Sequence, residues 1–132
     1  VAEAKSQAEI VNDFIFIAAG TGGVQIHNLT DGSKITEIPL PTDTGLDSSV
    51  VVSNAVSIDK DLIFISNGEA GVYAAQASKQ IKNITNPADL SLTMQGKLQF
   101  DSLESVNHVN FKGNYLLVAA GLGGLKIVDV QD

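Results

Sequence analysis

Asp13-Phe14-Ile15-Phe16-Ile17-Ala18-Ala19-Gly20-Thr21-Gly22-Gly23-Val24 returns 48 residues later as Asp61-Leu62-Ile63-Phe64-Ile65-Ser66-Asn67-Gly68-Glu69-Ala70-Gly71-Val72. It returns a further 53 residues on, as Asn114-Tyr115-Leu116-Leu117-Val118-Ala119-Ala120-Gly121-Leu122-Gly123-Gly124-Leu125. Over the 18-residue window from Asn12, copies one and two share seven identities, and copies one and three share six. Ordinary residue frequencies give about one by chance. Upstream, Gln7-Ala8-Glu9-Ile10, Ala55-Val56-Ser57-Ile58 and His108-Val109-Asn110-Phe111 hold the same frame. The chain carries one unit three times, so its architecture is that of a repeat.

Each unit reads as antiparallel strands. A short alternating segment (Ala8/Ile10, Val56/Ile58, Val109/Phe111) leads into a turn pair: Asn12-Asp13, Lys60-Asp61 or Gly113-Asn114. Two turn-prone residues between β-branched or aromatic runs mark a hairpin. The second run, such as Phe14 to Ile17 or Tyr115 to Val118, is apolar at successive positions, which predicts a strand covered on both faces. On that ground Ile15, Phe16, Ile17, Ile63, Phe64, Ile65, Leu116, Leu117 and Val118 are all expected inside. A Gly-rich turn and a third strand follow: Val24 to Leu29, Val72 to Ala77, Leu125 to Val130. A fourth strand is expected at Ile35 to Leu40 in copy one and Lys97 to Phe100 in copy two; copy three has none. Gly and β-branched residues saturate the motifs, and only Ser78 to Asn83 suits a helical turn. Four strands in roughly 48 residues, the inner ones doubly covered, describe a β-propeller blade. The expected fold is all-β: three blades, the last incomplete, as a partial or half propeller. The single domain of 1–132 divides into blades at about 6–40, 54–100 and 107–132, and residues 1–5 are expected as the outer strand of another blade.

Leu125-Lys126-Ile127-Val128-Asp129-Val130, after Ala119-Ala120-Gly121-Leu122-Gly123-Gly124, resembles the LVIVD repeat of bacterial and archaeal surface propellers. Val24-Gln25-Ile26-His27-Asn28-Leu29 is a looser copy, and Val72-Tyr73-Ala74-Ala75-Gln76-Ala77 lacks the usual Asp. The resemblance runs from about Ser6 to Asp132, with an insertion between Ser78 and Met94. It implies a propeller that is secreted or on the cell surface, at the bacterial outer surface or in the periplasm. It implies no shared enzymatic activity, cofactor or catalytic residue.

Composition narrows the function classes. Fifteen acidic residues against eight basic ones, all lysine, leave a net charge of −7. That balance disfavours nucleic acid, whose binding needs clustered cations on phosphates, and it disfavours anionic lipid. No apolar run approaches the ~18 residues of a membrane-spanning helix, so membrane insertion is not expected. With 44% apolar and 17% charged residues the chain is too hydrophobic for disorder. The absence of cysteine excludes disulfides, a thiol nucleophile and Cys-ligated zinc.

The motifs that invite chemistry read mostly as turns. Gly20-Thr21-Gly22-Gly23 and Gly121-Leu122-Gly123-Gly124 fail the dinucleotide pattern, because Gln25 and Lys126 stand at its last position and a strand follows. His27 and His108 occupy different repeat positions, so no shared metal site is expected. No Gly-x-Ser-x-Gly occurs, and no catalytic residue is assigned. Two glycosylation sequons, Asn28-Leu29-Thr30 and Asn83-Ile84-Thr85, stand against about one expected by chance and carry little weight. The strongest candidate is a polar mouth at the propeller channel, built from Asn54, Asn67, Glu69, Asn107 and His108, with amides and a carboxylate suited to a cation or polar ligand. The competing role for Asn and Glu there is capping of turn backbone. The function expected is a non-catalytic binding or scaffold module, its partner a second copy of the chain or the remaining blades of a parent. The alternative is a propeller hydrolase or lyase working at the channel mouth, for which only Glu69 and His108 offer titratable groups.

Overall fold

The computed structural model describes residues 8–42, 44–100 and 104–130. Among them are eleven strands in three antiparallel sheets of four, four and three strands. Sheet one is β1 (Ala8–Val11), β2 (Phe14–Ala18), β3 (Val24–Asn28) and β4 (Lys34–Ile38), paired in chain order. Sheet two repeats the pattern with β5 (Ala55–Asp59), β6 (Leu62–Ser66), β7 (Val72–Ala77) and β8 (Leu92–Leu98). Sheet three has β9 (His108–Lys112), β10 (Tyr115–Ala119) and β11 (Leu125–Asp129). The first strands of successive sheets lie against each other, with β5 touching both β1 and β9. The expected outer strand at Val1 to Lys5 lies outside the described residues.

The repeat seen in sequence is a repeat in backbone. Gly20, Gly68 and Gly121 open the turns between second and third strands with φ of 59°, 63° and 56°. Gly23, Gly71 and Gly124 close those turns, again at positive φ. The β3–β4 ladder slips at Ile26/His27 and the β7–β8 ladder at Ala74/Ala75, the same frame position. A shared bulge sets a shared twist, so the two four-stranded sheets present alike faces.

One strand is displaced from its expected place. The fourth strand of copy two runs over Leu92–Leu98, not Lys97 to Phe100. Its residues are mostly exposed, although Leu92, Met94 and Leu98 alternate with Thr93, Gln95 and Lys97, and it pairs with β7 along its length. The insertion before it makes two 3-10 turns, Ile81–Asn83 and Pro87–Asp89. The first drives Ile81 and Ile84, both 0% exposed, into the core between sheets one and two.

Each pair of neighbouring sheets encloses a core. Phe14, Phe16, Val24 and Ile26 of sheet one share the first with Val56, Ile63 and Ile65 of sheet two. Phe64 and Val72, on the other side of sheet two, share the second with Val109, Leu116 and Val118 of sheet three. We call the side turned to the next sheet in sequence the forward face and the opposite side the rear face. The inner strands of sheet two are covered on both faces: Ile63, Phe64 and Ile65 of β6 are all buried, as are Ala55, Val56 and Ser57 of β5. Ile15, Ile17 and Leu117, expected inside, are only half-buried. Sheets one and three each meet a described sheet on one side alone.

The hairpin turns between first and second strands differ in chemistry at equal geometry. Asn12 and Lys60 have φ of 55° and 56°, where the third copy has Gly113. Asn12 Nδ2 also donates to the carbonyls of Ile84 (2.8 Å) and Lys82 (3.2 Å), tying sheet one to the insertion. Lys60→Gly relieves a left-handed strain of about 1–2 kcal/mol, against a glycine entropy cost of about 0.5–1 kcal/mol. It should raise stability by up to about 1.5 kcal/mol. Asn12→Gly loses both bonds, each worth about 0.5–1.5 kcal/mol, and should lower it. Urea melts of the two variants check the opposite signs.

Candidate functional site

The five residues predicted for the mouth fall at one end of the sheets. Asn54 and Asn107 stand just before β5 and β9, and Asn67 and Glu69 sit in the β6–β7 turn beside them. Backbone bridges tie this end together: Gly20 exchanges two 3.0 Å hydrogen bonds with Ser53, and Val106 N–H donates to the Gly68 carbonyl at 2.9 Å. Each bridge joins a sheet's Gly turn to the segment that opens the next sheet.

Two of the five are engaged within the protein. Asn67 is 3% exposed, and its Oδ1 accepts from the Ser53 hydroxyl at 2.6 Å. Asn54 Nδ2 donates to the Val106 carbonyl at 3.1 Å, and the same oxygen accepts from Ser66 Oγ at 2.7 Å. Glu69 is half-buried and its N–H donates to the Val50 carbonyl. Asn107 and His108 are exposed. The end of the stack is therefore a buried polar clamp, with Asn107 and His108 at its surface.

Sequence reasoning missed Ser53, Ser57 and Ser66. Ser57 Oγ accepts the backbone N–H of Phe111 at 3.0 Å, joining β5 to β9. The signal for Ser66 and Asn67 was in the repeat frame, where the other copies have Ala18-Ala19 and Ala119-Ala120. Polar side chains at positions otherwise filled by Ala need partners when buried. Among the described residues no buried side-chain nitrogen or oxygen lacks one. Asn67→Ala would leave the Ser53 hydroxyl without that acceptor, a loss of about 1–3 kcal/mol. The double variant with Ser53→Ala should recover part of it, which a double-mutant cycle from denaturant melts measures.

Shifted titratable groups belong to turns and packing. Hydrogen bonds from Ser33 hold the Asp31 carboxyl below its ordinary range, and the Ser49 backbone N–H does the same for Asp47. Asp47 accepts that bond while capping the 3-10 turn Ser48–Val50, on the path to Ser53. A lowered folded-state pKa keeps the cap through the ordinary carboxylate range and loses it as pH falls through the lowered value. Burial raises the Tyr73 hydroxyl. Among the described residues no three His, Asp or Glu side chains converge on a metal position. No helix among them is long and apolar enough to cross a membrane.

A cleft of about 450 Å³ lies at the opposite end, between the hairpin turns of sheets two and three. Asp59, Lys60, Asn114 and Asp129 line it, and it shares no residue with the predicted mouth.

No family model matches the chain, and no curated protein matches it significantly. Among solved structures it is similar to the crystal structure of the computationally designed Ika4 protein, with a TM-score of 0.61 and 11% identity. The superposition covers 94% of this chain and 64% of that one, so the chain spans under two thirds of its length. At that identity the likeness is one of fold.

Proposed function

We propose that the three sheets are blades of a β-propeller of the LVIVD-repeat type, serving as a non-catalytic binding or scaffold module of a secreted or cell-surface protein. The adjacency of β1, β5 and β9 supports the propeller reading, since blades radiate from their first strands. The polar clamp carries the scaffold reading. Ser53, Asn54, Ser66 and Asn67 bond one another or backbone, an arrangement that fixes blades together. Rigid sheets with exposed turns suit a surface that holds partners. The partner is a second copy or further blades, and neither nucleic acid nor a lipid bilayer suits the acidic balance.

The competing enzyme reading would use His108 and Glu69. Purified chain should turn over chromogenic ester, phosphate and glycoside substrates no faster than buffer. Turnover that His108→Ala abolishes, with the melting temperature unchanged, would replace the scaffold reading by the enzyme.

A further inference from the structure

The two internal interfaces of this molecule are built by one rule, and the rule leaves two faces uncovered. Forward positions of a sheet meet rear positions of the next. In sheet one the forward residues Val24 and Ile26 are 0% exposed beneath sheet two. Their counterparts in sheet two, Val72 and Ala74, belong to the core shared with sheet three. The counterparts in sheet three are Leu125 and Ile127, 66% and 65% exposed. They remain apolar although no described residue covers them. Rear positions tell the same story in reverse. Ile58 and Phe111 each pack against the core behind their sheet, Phe111 stacking on Phe64 at 5.4 Å between ring centroids. Their counterpart in sheet one is Ile10, 58% exposed.

Contiguous apolar faces of this kind are rare on a free monomer and mark association. We propose that the forward face of sheet three and the rear face of sheet one are two halves of one interface, completed by a second copy of this chain. The occupant follows from the molecule itself: the rear face that fits a forward face is one with Ile15 and Ile17 in the frame of Ile63 and Ile65, and sheet one carries it. The polar contacts continue the same frame. Ser57 accepts the N–H of Phe111 across the second interface. Asn110 stands at the Ser57 position of sheet three, exposed, and Ile10 stands at the Phe111 position. The Asn110 side-chain oxygen is placed to accept the Ile10 N–H of the second copy. Gly121 holds the frame of Gly20 and Gly68, each of which bridges to the segment opening the next sheet. Among the described residues none bridges to Gly121 in that way.

A head-to-tail interface closes into a ring or runs on as a filament. This step rests on the propeller reading. Rings of about four to eight blades are typical, and the three described sheets of two copies make six, which falls in that range. Joined forward face to rear face, two copies of the described sheets form such a ring with two identical junctions.

Sedimentation equilibrium on the chain, with one substitution per face, tests this. The native chain should run at twice its 13.8 kDa monomer mass and dissociate on dilution. Ile127→Glu and Ile10→Glu should each shift association at least tenfold toward monomer, with circular dichroism and melting of the monomer unchanged, because both sites are exposed. Mixing the two variants leaves one junction intact and should restore a heterodimer. A native chain at monomer mass at all concentrations, an open-ended size series, or association blocked by one variant and untouched by the other would overturn the proposal. None of those results alters the packing between β5 and β9, so the propeller reading stands or falls separately, on the contact between Phe64 and Phe111.

Discussion

Phe64→Ala is expected to lower the unfolding free energy by about 3–5 kcal/mol. Phe64 is 4% exposed, sits in an inner strand of the middle sheet, and stacks on Phe111 of sheet three with an interplanar angle of 4°. Truncation removes the ring from the core between sheets two and three and leaves a cavity walled by Val109, Leu116 and Val118 on strands held by their own ladders. Stiff walls collapse poorly, which places the cost in the upper part of the range for aromatic truncation. A domain of this size has only about 5–15 kcal/mol in total, so this one change takes a large share. Phe111→Ala should cost less, because Phe111 is only partly buried. Guanidinium melts of both variants and their double check the order, and a coupling energy of about 0.5–1.5 kcal/mol is expected for the stacked pair. Phe64→Ala within about 1 kcal/mol of the native chain would mean that sheets two and three do not pack.

Gly71→Ala is the second large effect. Gly71 has φ +92°, and a Cβ there would collide with the backbone carbonyl of Leu98 on β8. Left-handed strain alone costs about 1–2 kcal/mol, and the collision cannot be relieved by a rotamer change, since the obstacle is backbone. Separation of β8 from β7 should follow, with a total loss of about 3 kcal/mol or more. Gly124 is the internal control. It occupies the same frame at φ +72° with no atom within 4 Å of the added carbon, because sheet three has no fourth strand among the described residues. Gly124→Ala should show the strain and no more, about 1–2 kcal/mol. Equal losses at the two positions would show that the fourth strand does not press on this turn.

The sequence carried the sheets because the repeat did. Three aligned copies turned isolated apolar runs such as Phe14 to Ile17 into a frame, and positive-φ glycines punctuated it at fixed places. The frame failed where copies stop resembling each other. Strand β8, Leu92–Leu98, alternates Leu92, Met94 and Leu98 with Thr93, Gln95 and Lys97, but it follows an insertion that copy one lacks, so the repeat frame does not give its register against β7. Ile81 and Ile84 lie in an insertion with no counterpart in the other copies; Asn12 pins that segment to sheet one through the Lys82 and Ile84 carbonyls, and both isoleucines are buried in the core there. The half-burial of Ile15, Ile17 and Leu117 has a different origin. An apolar run declares that a strand is made to be covered, while coverage itself depends on which neighbours are present.

The candidate site was legible in position and not in role. Asn54, Asn67, Glu69, Asn107 and His108 were placed together by counting along the repeat, and they do share one end of the sheets. Residue type alone could not distinguish an amide open to a ligand from one clamped to a carbonyl. That depended on Val106 and Ser53, a Val and a Ser at equivalent positions, whose backbone and hydroxyl accept or donate in a buried setting.

The central claim is that consecutive repeats stack forward face on rear face through their first strands. Nuclear Overhauser contacts between the Phe64 and Phe111 rings, in a sample labelled at Phe alone, test it most directly, because the two rings belong to different sheets at 5.4 Å. The stacking predicts strong cross-peaks between their ring protons, lost in Phe111→Leu, where Phe64 shifts while the Phe14 and Phe16 signals, in the other core, hold theirs. Ring protons of Phe64 that show no contact with Phe111 would contradict it.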